Sequence, residues 1–157
     1  MENYNKDFIQ SDKEIQFLLR KASDSFKENK LENAISYCNK ILRRDPKNKY
    51  ALDLKAMSFS TLEIFDEALF CFDQSLQIDS QNYFALYGKA TVYSKMGDFE
   101  NAVKYCNICL TMKKDSSIYD VKGNALTNLE RHKEARECFE KAIKLDPDDN
   151  PLEWQKQ

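Results

Sequence analysis

The sequence contains one histidine, three glycines and three prolines in 157 residues. A single histidine cannot supply a multi-histidine metal site. We also find no glycine-rich phosphate loop, no His-Glu-x-x-His motif and no nucleophile elbow. Nothing in the sequence therefore supports catalysis, and we predict that the chain is not an enzyme and holds no cofactor or metal.

Long apolar runs and a strong net charge are also missing. No stretch approaches the ~20 apolar residues that a membrane span requires. The 24 lysines and arginines nearly balance the 26 aspartates and glutamates, so the net charge is -2. A chain without a basic excess has no general attraction for a polyanion. We therefore expect neither a membrane nor a nucleic acid as its partner.

The N-terminus and the cysteines bear on the compartment. Residues 1–7 are polar and lack the apolar core of a secretion signal. The five cysteines are odd in number, so they cannot all pair within the chain. Unpaired thiols are typical of a reducing environment. We therefore expect a cytoplasmic protein.

An internal repeat is the most informative feature that the sequence does contain. Alanine recurs at steps of 34, 34 and 33 residues, at Ala34, Ala68, Ala102 and Ala135. Other positions keep the same steps, among them Leu18, Leu52, Leu86 and Tyr119, and Cys38, Phe72, Cys106 and Phe139. A fixed period of this size indicates stacked units, each too small to bury its own apolar face. The repeat therefore predicts a binding surface as the functional element.

Each unit reads as two amphipathic helices. In the second unit, apolar and small residues recur at helical intervals on both sides of residues 62–64. That break is long enough only for a tight turn, so the two helices must be antiparallel. Three of the units end in aspartate with proline or asparagine, at 45–48, 79–82 and 146–149, and this composition ends a helix.

These features resemble the tetratricopeptide repeat, a helix-turn-helix of about 34 residues with a leucine or aromatic, a small residue, and then alanine with an aromatic. The turn Met96–Phe99 is similar to the family's glycine-acid-aromatic junction, whereas the family's tryptophan position holds leucine or tyrosine. The resemblance implies an all-α fold, a right-handed superhelical solenoid of antiparallel helical hairpins. Pentatricopeptide repeats, which read RNA, have a similar period, but the neutral charge disfavours them.

The same resemblance sets the predicted boundaries. We assign residues 1–14 to an N-terminal extension and the start of the first helix, where Ser11-Asp12-Lys13-Glu14 forms a capping-box pattern. Four repeats occupy residues 15–149, namely 15–48, 49–82, 83–115 and 116–149, and a short tail occupies 150–157. The third repeat is one residue short, and we place the missing residue within Met112–Ser117.

As a tetratricopeptide-like chain, the protein is expected to act as a protein-protein interaction scaffold that binds a peptide segment in a concave groove lined by the first helices. The groove residues that the resemblance implies are Tyr50, Asp53, Met57, Phe84, Tyr87, Thr91, Asp120, Asn124 and Asn128. The aromatic members form an apolar shelf, and the amides pair with a peptide backbone or a basic side chain. An alternative role for Tyr50 and Phe84 is to seal the junctions between repeats.

Two further interpretations remain open at this stage, and a third is disfavoured. The alternative to groove binding is a structural or oligomerisation module that associates through its uncapped terminal repeat. The tail at 150–157 is shorter than a full terminal cap, which leaves three alternatives: Trp154 docks on Tyr119 or Leu126, the chain dimerises end to end, or it is cut from a longer protein. The family's clamp for a chaperone's terminal carboxylate has no cation or amide at the corresponding positions here, which disfavours that ligand. The recurrent Lys21, Lys55, Lys89 and Lys122 form either a basic ladder for an acidic partner or a set of stems covering the helix joints.

The pair Cys106 and Cys109 invites a redox or metal interpretation. Zinc needs two further ligands at matching spacing, and a redox thiol needs an exposed position at a helix start. Neither condition is met, and the other repeats fill the equivalent positions with packing residues. We therefore predict that both cysteines are buried packing residues.

Overall fold

The computed structural model describes residues 2–146, with side chains from residue 12 onward. This part of the chain consists of helices joined by short turns, and no strand occurs within it. The helices are α1 (Glu2–Lys27), α2 (Leu31–Arg44), α3 (Lys49–Thr61), α4 (Phe65–Ile78), α5 (Tyr83–Met96), α6 (Phe99–Met112), α7 (Ser116–Asn128) and α8 (His132–Leu145). The predicted all-α fold of helical hairpins is confirmed.

The chain divides into two compact units, residues 1–85 and the residues from Leu86 onward. In unit 1, α1 packs on α2, α2 on α3, and α3 on α4. In unit 2, α6 packs on α7 and α7 on α8. The assignment of four repeats stays a prediction, although α3, α5 and α7 begin at the first residues of the predicted second, third and fourth repeats.

Small residues let the paired helices approach closely, as the repeating alanines suggest. Ala22, Ala34, Ala56 and Ala68 in unit 1 have no exposed surface, and neither do Ala90 and Ala102 in unit 2. Gly123 takes the equivalent place in α7, where a Cβ atom would lie 2.6 Å from the Phe139 ring. Larger side chains such as Ile41, Phe72 and Leu126 fill the space around these contacts.

Local polar contacts fix the helix starts between hairpins. Asn48 caps α3 by accepting a hydrogen bond from the Ala51 N–H, and Asp115 caps α7 by accepting from the Ser117 N–H. These side chains satisfy backbone donors that have no partner inside the helix. The connection between α6 and α7 has three residues, whereas those before α3 and α5 have four, which locates the missing residue where the sequence placed it.

The predicted start of the first helix at the capping box is wrong. Helix α1 begins at Glu2 and runs through Ser11-Asp12-Lys13-Glu14 without interruption. No glycine or proline lies between residues 2 and 14 to end a helix there. A capping pattern therefore marks the start of a helix only where the residues before it cannot be helical.

One residue in each hairpin turn adopts a left-handed backbone. Asn29, Glu63 and Glu130 have φ values of 57°, 60° and 59°, and Gly97 has φ 81° at the equivalent position. This conformation lets the chain reverse direction after the first helix. Glycine adopts it without steric penalty, whereas a side chain disfavours it.

We therefore expect Glu63→Gly to raise the free energy of unfolding by about 0.5–1 kcal/mol. Glycine removes the steric cost of the left-handed conformation, and this gain exceeds the larger conformational entropy that glycine gives the unfolded chain. Urea denaturation followed by circular dichroism measures this change. Glu67→Gly is the matched control, because it removes the same charge within α4 and should lower stability by about 1 kcal/mol. Equal destabilisation by both variants would contradict the turn geometry.

Candidate functional site

Three of the predicted groove residues on unit 1 are apolar and exposed, and we call them together the aromatic face: Tyr50, Met57 and Phe84. Their side chains are 66%, 41% and 67% exposed. Tyr50 and Met57 lie two turns apart on α3, so they project from the same side of that helix. Exposures this large argue against the alternative in which Tyr50 and Phe84 seal junctions between repeats.

Local contacts hold the aromatic rings in place. The Lys49 ammonium lies 6.0 Å from the centre of the Tyr50 ring, and the Tyr83 ring meets Phe84 edge-on with centroids 6.3 Å apart. The Phe84 N–H donates to Asn82 Oδ1 at 3.2 Å, which anchors the first turn of α5. The rings are therefore presented to solvent from ordered helix starts.

Asp53 lies between Tyr50 and Met57 on α3, and the sequence placed it in the groove. The structure instead buries Asp53, leaving 8% of it exposed. Asn82 Nδ2 donates to Asp53 Oδ2 at 2.7 Å and also to Ser75 Oγ at 2.8 Å. Asp53 therefore joins α3 to the turn that precedes α5, and it cannot contact a ligand in this arrangement.

Burial also governs the ionisation of Asp53. It raises the pKa of the carboxyl, while the hydrogen bond from Asn82, the nearby hydroxyl of Ser75 and the charge of Lys49 act in the opposite direction. Asp53 Oδ1 is buried with no hydrogen-bond partner among the described residues. The carboxylate is thus a structural group whose charge opposes folding.

The remaining predicted groove residues belong to unit 2 and form what we call the amide face: Tyr87, Thr91, Asp120, Asn124 and Asn128. Tyr87 is half-buried, and burial raises the pKa of its hydroxyl, with the nearby Asp115 and Asp120 adding to the effect and Thr91 opposing it. Asn124 and Asn128 are exposed. The Asn128 side chain donates to the Asn124 carbonyl oxygen at 2.9 Å, so Asn124 carries the amide that is open to a ligand.

All five cysteines are free and buried, which confirms the packing interpretation of Cys106 and Cys109. Burial raises the pKa of the Cys106 thiol to about 12 and that of Cys109 to about 11. Such thiols remain protonated at neutral pH and are poor nucleophiles and metal ligands. In the described part of the chain, no group of three histidine, cysteine or acidic side chains is arranged to hold a metal ion.

Three of the four recurrent lysines, Lys21, Lys55 and Lys89, hold their ammonium groups near aromatic rings. Lys89 is 4% exposed, and its ammonium lies 5.9 Å from the Tyr93 ring and 4.8 Å from the Tyr105 ring, which stack on each other. Lys55 lies 5.7 Å from the Phe59 ring. For Lys89 the structure supports the covering role over an open basic ladder, because a buried ammonium held against two rings is not presented to a partner.

Two exposed aromatic residues were not predicted from the sequence. Phe70 on α4 is 63% exposed at the position where the other repeats have Ser36, Lys104 and Glu137. Phe17 on α1 is 58% exposed, whereas Ala51, Ala85 and Ile118 at the equivalent position are fully buried. Comparing equivalent positions would have found Phe70, because a large apolar residue there is unique among the repeats.

Two parts of the prediction are not tested by these contacts. The tail at 150–157 and Trp154 lie outside the described residues, as do the last residues of the fourth repeat.

Among the described residues, no helix is both long enough and apolar enough to cross a membrane.

Sequence profiles of the tetratricopeptide repeat match this chain over three segments. One profile matches residues 15–48 and 85–116, and a second matches residues 121–149. The matched residues together make up more than half of the chain. The second hairpin, α3 with α4, lies between the matched segments.

Several curated proteins are similar to parts of the chain. DnaJ homolog subfamily C member 3 of Gallus gallus is 31% identical over 84 residues, which cover 54% of this chain and 17% of that protein. RNA polymerase II-associated protein 3 of Mus musculus is 25% identical over 108 residues, which cover 68% of this chain and 16% of that protein. A TPR repeat-containing protein of Methanocaldococcus jannaschii is 26% identical, covering 94% and 29%. The chain therefore spans less than a third of the length of these relatives.

Solved structures show the same fold at lower identity. MamA from Desulfovibrio magneticus superposes with a TM-score of 0.77 at 20% identity, covering 85% of this chain and 76% of MamA. A tetratricopeptide repeat protein from Parabacteroides merdae gives a TM-score of 0.73 at 21% identity, covering 83% and 51%. Similarity at this level of identity is evidence for the fold alone.

Proposed function

Because this chain belongs to the tetratricopeptide repeat family, we propose that it is a protein-interaction scaffold and that it binds a peptide segment of a partner protein on the side formed by its first helices. The observation that carries the proposal is the exposure of Tyr50 and Phe84, 66% and 67%, beside the ordered polar contact between Asp53 and Asn82. Solvent-exposed aromatic rings on rigid helices are typical of binding surfaces.

The two faces suggest what a bound segment contributes. On unit 1, the aromatic face offers apolar area to aliphatic or aromatic side chains at a low entropic cost. On unit 2, the amide face offers Asn124, whose side chain both donates and accepts hydrogen bonds and so matches a peptide backbone. A partner segment with apolar anchors suits the aromatic face, and a segment with an accessible backbone suits the amide face. The proposal includes a reducing, cytoplasmic setting, which the five unpaired thiols support.

The test uses a peptide selected by display on the immobilised chain. We expect the double variant Tyr50→Ala, Phe84→Ala to weaken its binding by about 30-fold or more, because an anchoring aromatic contributes on the order of 2 kcal/mol. Fluorescence anisotropy with the labelled peptide measures the affinity. Phe70→Ala is the matched control, since it removes an equally exposed ring from α4 and leaves the aromatic face intact.

Unchanged binding by the double variant, or an equal loss with Phe70→Ala, would show that the aromatic face is not the binding surface. Circular dichroism of each variant separates lost binding from lost folding. Because all three rings are exposed, we expect the variants to keep the stability of the parent chain within about 0.5 kcal/mol.

A second candidate is a structural module that associates through a terminal repeat. Phe17 favours it, because its ring is exposed. The residues at the equivalent position of the later repeats, Ala51, Ala85 and Ile118, are fully buried. An apolar end surface of this kind suits contact with another helical hairpin. The mass of the chain in solution, measured alongside the binding experiment, separates association of copies from capture of a peptide.

A further inference from the structure

A cavity of about 350 Å³ opens in unit 1, away from the aromatic face. Helix α2 and the following turn form one wall, α3 forms the base and α4 forms the other wall. The residues that line it are Asn39, Leu42, Arg43, Pro46, Leu52, Lys55 and Gln74. Because α2, α3 and α4 all lie within unit 1, the cavity is a property of that unit alone.

The charge of this cavity is of one sign. Arg43 and Lys55 are its only ionisable side chains, and no carboxylate lines it. Neither cation forms an ion pair within the part of the chain that the structure describes, whereas the adjacent Arg44 pairs with Glu14. Two cations without counter-charges create a local attraction for an anion.

Lys55 is turned towards the interior of the hairpins. Its ammonium lies 5.7 Å from the Phe59 ring, and the residue is half-buried. Burial raises the pKa of the Cys38 thiol to about 12, and the charge of Lys55 is the largest of the effects that oppose this rise. Lys55 therefore lies against the Phe59 ring and at the same time lines the cavity.

The other lining residues supply hydrogen bonds and an apolar wall. The side-chain amides of Asn39 and Gln74 form no hydrogen bond with any described residue, so their N–H groups are open to an acceptor. Leu42, Pro46 and Leu52 offer apolar surface on the same side. The equivalent of Arg43 in the third repeat is Thr111, and Lys141, equivalent to Gln74, lies over the Tyr119 ring in unit 2.

We propose that this cavity is a binding site for an oxyanion carried on an apolar stem, with a phosphomonoester preferred over a carboxylate. The Arg43 guanidinium donates two parallel hydrogen bonds to such a group, and the Lys55 ammonium neutralises its remaining charge. A phosphomonoester carries a charge of about -1.5 to -2 at neutral pH and three acceptor oxygens, which match two cations and two amides. The apolar stem packs on Leu42, Pro46 and Leu52.

The experiment titrates the full chain with phenyl phosphate, benzoate and inorganic phosphate, in 15N-labelled protein at fixed ionic strength. We expect phenyl phosphate to bind about tenfold or more tightly than either of the other probes, and to shift amide signals of α2 and α4 around the cavity. Inorganic phosphate lacks the stem, and benzoate carries one charge. Equal binding of all three would overturn the proposal.

Charge-matched variants locate the site. Arg43→Gln and Lys55→Gln should each weaken phenyl phosphate binding by about tenfold or more, whereas Lys40→Gln should change it by less than about twofold. Lys40 lies on the same helix, stacks on Tyr37 and does not line the cavity. An equal loss with all three variants would indicate nonspecific attraction and would overturn the site. Since Arg43 is exposed, its variant remains informative even where Lys55→Gln perturbs folding.

Discussion

Phe72→Ala should lower the free energy of unfolding by about 3–5 kcal/mol. Phe72 is 1% exposed and is among the largest fully buried side chains of the described chain. Its truncation removes apolar surface from the α3–α4 hairpin and leaves a cavity that neighbouring helices fill only partly. Urea denaturation followed by circular dichroism measures the change.

The chain supplies a close control two residues away. Phe70 lies on the same helix and is 63% exposed, so Phe70→Ala should change stability by less than about 0.5 kcal/mol. The two variants are chemically identical and differ only in burial. Similar losses of stability in both would contradict the orientation of α4 described above.

Asn82→Ala should also be strongly destabilising, by about 2–3 kcal/mol at neutral pH. Asn82 is 5% exposed, donates to Asp53 and Ser75, and accepts from the Phe84 N–H. Removing its amide leaves the buried Asp53 carboxylate without its donor at Oδ2, and a buried charge that loses its partner is especially unfavourable. Urea denaturation at a series of pH values measures the change.

The pH dependence follows from the direction of the Asp53 shift. Because burial raises the pKa of Asp53 in the folded state, the folded chain holds this proton to a higher pH than the unfolded chain does. Ionisation of Asp53 therefore lowers stability as the pH rises above its ordinary pKa of 3.8 and through the raised value. The difference in the free energy of unfolding between the parent chain and Asn82→Ala should shrink as the pH falls towards 3.8. A protonated, neutral carboxyl loses less free energy than a carboxylate when its hydrogen-bond donor is removed.

Asp53→Asn is the control for this argument. It removes the charge but keeps an oxygen that accepts from Asn82, so its stability at neutral pH should equal or exceed that of the parent chain. A loss as large as that of Asn82→Ala would mean that the carboxylate charge itself stabilises the contact between α3 and the turn that contains Asn82.

The period and the turn residues were enough to predict most of the helices. Lys49 and Tyr83 begin α3 and α5 because each follows a local stop signal, and Ser116 begins α7 where the repeat period places it. The extent of α1 was not predictable in this way, since Ser11–Glu14 is a capping pattern only where the preceding residues are not helical.

The site was harder to predict than the fold. The resemblance placed Asp53 in the groove with Tyr50 and Met57, but the structure buries it. Its burial results from Asn82, 29 residues further along, whose amide covers the carboxylate. A pattern read within one helix contains no information on such a contact. The cavity at Arg43 and Lys55 was missed for the same reason, because it joins residues from three helices.

The buried cysteines allow transient opening of each unit to be measured by thiol labelling. Cys38 and Cys71 lie in unit 1, and Cys106, Cys109 and Cys138 lie in unit 2, each with a thiol pKa raised by burial. An alkylating reagent reacts with these sulfur atoms only when a hairpin transiently opens. Labelling kinetics resolved by peptide mass therefore yield a separate opening free energy for each unit, without introducing any probe into the sequence.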